Sequence, residues 1–344
     1  MNNPLAKIIL RIVTVSLFAA IPMLIQAQPA TPDAPSRIYG VSKKDKLPVI
    51  APMTGGDTSE KSIAVDKNVN LSLCVTQGSL KVNGWNRSEI RVFVKDGAKF
   101  GFNVQLKSPK TNMPALINLT GLDAKTKGKY AVPTECIWGD EIEIDVPVNA
   151  VINIKGQETT TVIDTVRKAS VKTIGGSINL RNIAEGAVAV TYEGDVTVES
   201  STGAMSLEST NGNVIVFDSG PSEIGDQFKA KTNSGNVNLQ KLDYRQVDVT
   251  SISGSVSYNG EILSGGSYSL STSNGSIRMS VPLNTSCQVV ASYGFGTFNY
   301  DLPLKIEMEN NLEGPVKRVV GKLGNGGASV RLTTNSGSIV INKP

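Results

Sequence analysis

From Ser62 onward, apolar and polar residues alternate along the chain. Ile63, Val65, Val69, Leu71 and Leu73 form a first group, followed by Leu80 and Val82 and then by Ile90, Val92 and Val94. A period of two sends successive side chains to opposite faces, so these segments predict β-strands. The alternation resumes at Ile142, Ile144, Val146 and Val148, with Glu141, Glu143 and Asp145 between them on a face read as solvated. Helical periodicity is confined to positions 1–27, which predicts almost no helix in the mature chain.

From about Val171 a short unit recurs. A small polar residue (Asn, Ser or Gly) precedes a Gly, then come one polar residue and two apolar residues one position apart, as in Asn211-Gly212-Asn213-Val214-Ile215-Val216, with Glu193 standing in the first place of one copy. The glycines are Gly176, Gly194, Gly212, Gly235, Gly254, Gly275 and Gly337. The first apolar residues stand at 178, 196, 214, 237, 256 and 277, steps of 18, 18, 23, 19 and 21. The final step, from 277 to 339, reads as close to three more such steps. Half-period copies occur at Val188 and Val190, Met205 and Leu207, Val247 and Val249, and Tyr268 and Leu270.

Repeats of this length signify stacked units, each incomplete alone. Such a unit is too short for a helix crossover yet long enough for two or three short strands, so the chain should coil and pair each strand with its equivalent one turn on. Glycine suits the corner because it accepts positive φ, and the polar residue beside it can satisfy local backbone groups. About four inward side chains per turn, worth roughly 1.5 to 3 kcal/mol apiece before entropy is subtracted, would hold the stack. Val, Ile and Leu fit such a thin interior, and aromatics are expected mostly outside it. The predicted class is all-β: a single-chain β-helix-like solenoid with an N-terminal β cap region, preceded by a signal peptide and a linker.

Residues 1–27 carry Lys7 and Arg11, then an apolar run from Ile12 to Ile25 and Ala27. The run is short for a bilayer span, and the order of features reads as a signal peptide cut before Gln28. Residues 28–60 hold Pro29, Pro32, Pro35, Pro48 and Pro52 and read as a linker. The β region spans 61–155, interrupted at 107–130 by a segment with Lys107, Lys110, Lys125, Lys127 and Lys129 that reads as a solvated loop. The repeats occupy 156–344. No spanning segment follows them, so periplasmic, cell-surface and secreted destinations all stay open.

Composition narrows the chemistry. The chain has 33 Gly against 5% aromatics, many turns and few bulky core residues. It has 34 basic and 30 acidic residues, and removal of Lys7 and Arg11 leaves 32 against 30. A nearly neutral surface argues against nucleic acid as partner. With no His, Ser-His-Asp and Cys-His pairs and the usual zinc and iron ligand sets are excluded. No cofactor or metal is expected. Export permits one disulfide among Cys74, Cys136 and Cys287, leaving two readings open: buried free thiols, or a bridge between Cys74 and Cys136. Trp85 and Trp138 stand near strand ends and read as cap packing or as sugar-stacking rings.

Leu80-Lys81-Val82-Asn83-Gly84-Trp85-Asn86-Arg87-Ser88-Glu89-Ile90-Arg91-Val92 resembles the start of the bacterial "putative adhesin" domains, known for their β-strand repeats. The repeats resemble the middle of those domains, and the Gly-rich run from Gly321 to Ile339 resembles their end. The likeness covers about residues 62–343 and implies a β-helix-like envelope protein, with adhesion assigned by analogy. The expected function is an exported, non-enzymatic adhesion, scaffold or binding module whose partner is a protein or glycan of the cell envelope. Two alternatives stand beside it. One is a polysaccharide lyase or hydrolase using residues such as Asp195, Glu208, Lys231 and Arg278; the other is an accessory of envelope-stress signalling.

Overall fold

The computed structural model describes residues 58–106, 114–122, 133–134, 136–311 and 315–344. The expected signal peptide, nearly all of the expected linker, and the five lysines of the 107–130 segment lie outside these residues. The described chain is all β, with 26 strands in one continuous sheet. Among the described residues no helix is long and apolar enough to cross a membrane.

From Lys168 the sheet coils as the repeats require, each turn contributing two parallel strands. One stack runs Lys168–Gly175, Ala187–Glu193, Met205–Asn211, Phe228–Ser234, Gln246–Ser253 and Ser267–Asn274. The other runs Ile178–Arg181, Val196–Thr202, Val214–Gly220, Val237–Leu242, Val256–Asn259 and Ile277–Ser280. Equivalent residues lie in register, so that Val196, Val214, Val237, Val256 and Ile277 form one buried column. That register is why the repeat is visible in sequence: each coil presents the same side chain to the same neighbour. One half-period copy is out of frame, because Ala187 and Ala189 point inward while Val188 is exposed and Val190 half-buried.

The repeat glycines mark one corner of each coil, and Gly186 (113°) and Gly203 (98°) mark a further bend in the first coils. The second corner is built on Asn182, Ser200, Asp218 and Lys241, all in the left-handed region with φ between 47° and 57°. At each of these the chain bends, and Ser201 and Ser219 turn inward just after Ser200 and Asp218. Four aromatics enter the interior of the coil, contrary to expectation: Phe228, Tyr244, Tyr258 and Tyr268 are almost fully buried, and Phe100 and Tyr293 are buried toward the two ends. The four fall where the coils are longer than the first ones, and the tyrosine hydroxyls bond to turn and loop backbone. Tyr244 donates to the Gly203 carbonyl (2.6 Å), Tyr258 to the Glu261 carbonyl (2.8 Å) and Tyr268 to the Tyr244 carbonyl (2.8 Å).

Both ends depart from simple winding. The long final step of the repeat holds no three further coils between its ends: Ile339 pairs directly with Ile277. Strand Ser329–Ser336 inserts between Ser267–Asn274 and Cys287–Phe295, parallel to both. Strand Ile339–Asn342 likewise inserts between Ile277–Ser280 and Phe298–Tyr300. A hairpin of Lys305–Asn311 and Lys317–Leu323 then closes antiparallel on Cys287–Phe295. At the other end Asn70–Trp85 inserts between Cys136–Pro147 and Val151–Asp164, again parallel to both.

The expected boundaries shift accordingly. Strand Ser59–Ala64 begins inside the expected linker and pairs antiparallel with Glu89–Lys95. The expected division at 155/156 falls within the strand Val151–Asp164, so cap and coil share one sheet and one core. The 107–130 segment is not all loop. Strand Pro114–Leu122 runs through it with Ala115, Ile117 and Leu119 buried, its short alternation masked in the sequence by flanking Pro, Gly and Lys.

Candidate functional site

The glycine corner is where the repeat unit concentrates its polar groups, and three columns of atoms meet there. The glycines stack so closely that a Cβ on any of Gly194, Gly212, Gly235, Gly254 or Gly275 would strike the carbonyl of the corner glycine one coil earlier. Gly337 meets Gly275 in the same way. Space is thus the common requirement. Positive φ adds to it at Gly176 (95°) and Gly194 (134°), whereas Gly275 lies outside the left-handed region.

Three positions before each of these glycines stands a Thr or Ser that turns inward. Ser209 donates to the Gly194 carbonyl (2.8 Å), Thr232 to Gly212 (2.8 Å), Ser251 to Gly235 (3.0 Å), Thr272 to Gly254 (2.8 Å) and Thr334 to Gly275 (2.8 Å). Thr191 does the same for Gly176 (3.1 Å). These hydroxyls are buried among apolar side chains, where an unmatched acceptor would be costly.

The residue after each glycine builds the outer column. The Asp195 carboxylate accepts from the Asn213 backbone N–H (2.7 Å), the Asn213 amide oxygen from Asn236 (2.9 Å) and the Asn236 amide oxygen from Ser255 (2.9 Å). Ser255, Ser276 and Ser338 continue the ladder to Ser276, Ser338 and Thr297 (3.2–3.4 Å). The repeated polar residues are therefore occupied in joining one coil to the next.

The residues considered for polysaccharide chemistry do not converge. Lys231 and Glu208 are neighbours on adjacent coils, 3.1 Å apart, and form an exposed ion pair. Asp195 belongs to the corner ladder, and Arg278 sits on the other strand stack. The acidic strand also reads differently in space. Asp145 is buried rather than solvated, held by Arg91 through Nη2 (2.6 Å) and Nε (2.7 Å), while Asp140 and Glu141 stay exposed. Among the described residues no three His, Cys, Asp or Glu side chains gather as a metal site.

Cys74 and Cys136 form a disulfide between paired positions of neighbouring parallel strands. Cys287 is free and buried, and burial pushes its thiol up to about 11, so it stays protonated at neutral pH. Trp85 and Trp138 are both half-buried near strand ends. At the N-terminal end a cavity of about 280 Å³ opens between the turn after Trp85 and the turn at 147–150.

A family model described as Toastrack DUF4097 matches residues 58–342, the full length of the coil and its cap. The chain belongs to the Toastrack DUF4097 family. The match and the resemblance read from the sequence cover the same stretch. No curated protein matches this Toastrack chain. Solved structures that are similar to it include the following three. One, from Clostridium sporogenes ATCC 15579, is described as "a putative cell adhesion protein" (10% identity, 84% of this chain, 100% of that chain, TM-score 0.20). Another, from Bacteroides fragilis NCTC 9343, is "a putative adhesin" (11%, 83% and 97%, TM-score 0.32). The third, from Parabacteroides distasonis ATCC 8503, is a "Putative lipid binding protein" (12%, 83% and 96%, TM-score 0.30).

Proposed function

We propose that this Toastrack protein is exported and works without turnover, as a stiff module that binds or scaffolds a component of the cell envelope. The observation that carries the reading is how the repeat spends its chemistry. Hydroxyls, amides and one carboxylate of the corner columns bond coil to coil; of the charged residues considered for acid/base work, Glu208 and Lys231 neutralise each other in an exposed ion pair, Asp195 is held in the corner ladder, and Arg278 stands apart on the other stack. Such an arrangement yields a rigid rod with a long, regular outer face, suited to holding a partner rather than transforming one.

Export is supported by the N-terminal pattern of charge, apolar run and Ala27, and it agrees with a disulfide. The test has two parts. Fractionation of the native host followed by affinity capture should place the protein in the envelope with a reproducible partner. Incubation with envelope polysaccharides should leave their chain length unchanged. Shortening of a polysaccharide that stops on replacement of a single carboxylate would overturn the reading.

A further inference from the structure

The cavity at the N-terminal end gathers positive charge. It is lined by Lys67, Trp85, Asn86, Arg87, Pro147 and Asn149, with no acidic residue among its walls. Neither Lys67 nor Arg87 forms an ion pair among the described residues, whereas nearby Arg91 is bound to Asp145 and reaches Glu60 (3.7 Å). Two uncompensated positive charges therefore face one concave volume.

The walls are held in place by backbone and ring contacts. The Trp85 indole N–H donates to the Glu89 carbonyl (2.8 Å), fixing the ring, and the Arg87 guanidinium lies 4.8 Å from the ring centroid. A cation held over an indole face keeps its charge while losing freedom, so Arg87 is presented rather than loose. The two turns are tied by the Val148 N–H donating to the Trp85 carbonyl (3.1 Å), and the Arg167 Nε–H donates to the Asn149 carbonyl (3.0 Å). The side-chain amides of Asn86 and Asn149 have no protein hydrogen-bond partner among the described residues, so each keeps donors and an acceptor for a ligand.

We infer that this cavity is a binding site for a saccharide bearing a carboxylate or a phosphate. Lys67 and Arg87 match the anion, the two amides match ring hydroxyls, and Trp85 with Pro147 supplies apolar wall. A simple inorganic anion would leave most of about 280 Å³ unfilled, and a neutral sugar would leave both cations unanswered. The inference deepens the reading of the protein as a binding module and rests on it.

The experiment uses the full chain with Trp138→Phe, which leaves Trp85 as the only indole reporter of two. Its fluorescence is titrated with an oligogalacturonate, a hexose phosphate, the neutral maltotetraose and phosphatidylglycerol vesicles. Saturable binding of the oligogalacturonate or the hexose phosphate, at least about tenfold weaker in Arg87→Gln and in Lys67→Gln, is the expected result, since each removes one charge-assisted contact. Which of the two binds assigns carboxylate or phosphate. Arg87→Lys should restore part of the affinity, and unchanged melting of each variant shows that the fold is intact. Equal binding of maltotetraose, response to vesicles alone, no saturable response to either charged sugar, or unaltered affinity in both Gln variants would overturn the assignment. That failure would leave partner capture elsewhere on the coil untouched, whereas polysaccharide turnover would sink the module reading itself.

Discussion

The inward hydroxyl column offers the sharpest perturbation, because one strand carries its own control. In Met205–Asn211, Ser209 is fully buried and donates to the Gly194 carbonyl at 2.8 Å, while Ser206 on the opposite face is exposed. Ser209→Ala removes the donor and strands a buried acceptor, a loss of about 1–3 kcal/mol; Ser206→Ala should stay within about 0.5 kcal/mol. With a urea m-value of about 3 kcal/mol/M, the Ser209→Ala midpoint should fall by roughly 0.3–1 M with its slope unchanged. Ser209→Thr should recover wild-type behaviour, since Thr191, Thr232 and Thr272 hold the same place in neighbouring coils. Equal midpoints for Ser209→Ala and Ser206→Ala would refute the claim that the column joins the coils.

Three further outcomes follow from the same architecture. Gly254→Ala drives a Cβ into the Gly235 carbonyl and should cost at least about 2 kcal/mol, whereas Gly265→Ala, left-handed but with open space around it, should cost about 1 kcal/mol; thermal melting separates them. Replacing Cys74 and Cys136 together by Ser releases a constraint across a separation of 62 residues, worth about 4 kcal/mol by loop entropy, and should appear as a large drop in denaturant midpoint. Burial raises Tyr244, Tyr258 and Tyr268 above the ordinary value of 10, so they keep their protons in the fold while an unfolded chain loses them. Their contribution is whole below pH 10 and fades above it. Circular dichroism should therefore report alkaline unfolding together with the last part of the rise in tyrosinate absorbance, the share of these three among eight tyrosines, and complete ionisation of all eight well before the fold is lost would contradict the assignment.

Much of the coil is legible in the sequence because register repeats chemistry. Gly194 and Gly212 recur since nothing larger fits over the carbonyl beneath, and Val196 and Val214 recur since each covers the other. The inward hydroxyls carry an equally regular signal, a Thr or Ser three places before every corner glycine. A polar residue in an alternating strand reads as outward, which conceals that signal. The second corner leaves no common residue type to find, because Asn182, Ser200, Asp218 and Lys241 share a backbone conformation and not a side chain. The insertion of Ser329–Ser336 is hidden because the distance from Ile277 to Ile339 falls close to a multiple of the period. Lys67, Arg87 and Asn149 come together only through the pairing of distant turns, which alternation cannot reveal.

The two interleaved ends make neighbouring strands depend on chain far along the sequence. Residues 70–85 must wait for neighbours at 136–164 before their strand is enclosed, and residues 287–300 gain their inner neighbour only when 329–342 arrive. Loss of the last two strands would thus leave Cys287–Phe295 and Phe298–Tyr300 without the layer they rest on, rather than simply shortening the rod. Each end of the described fold is thus locked by a strand laid between two others rather than by the last coil added.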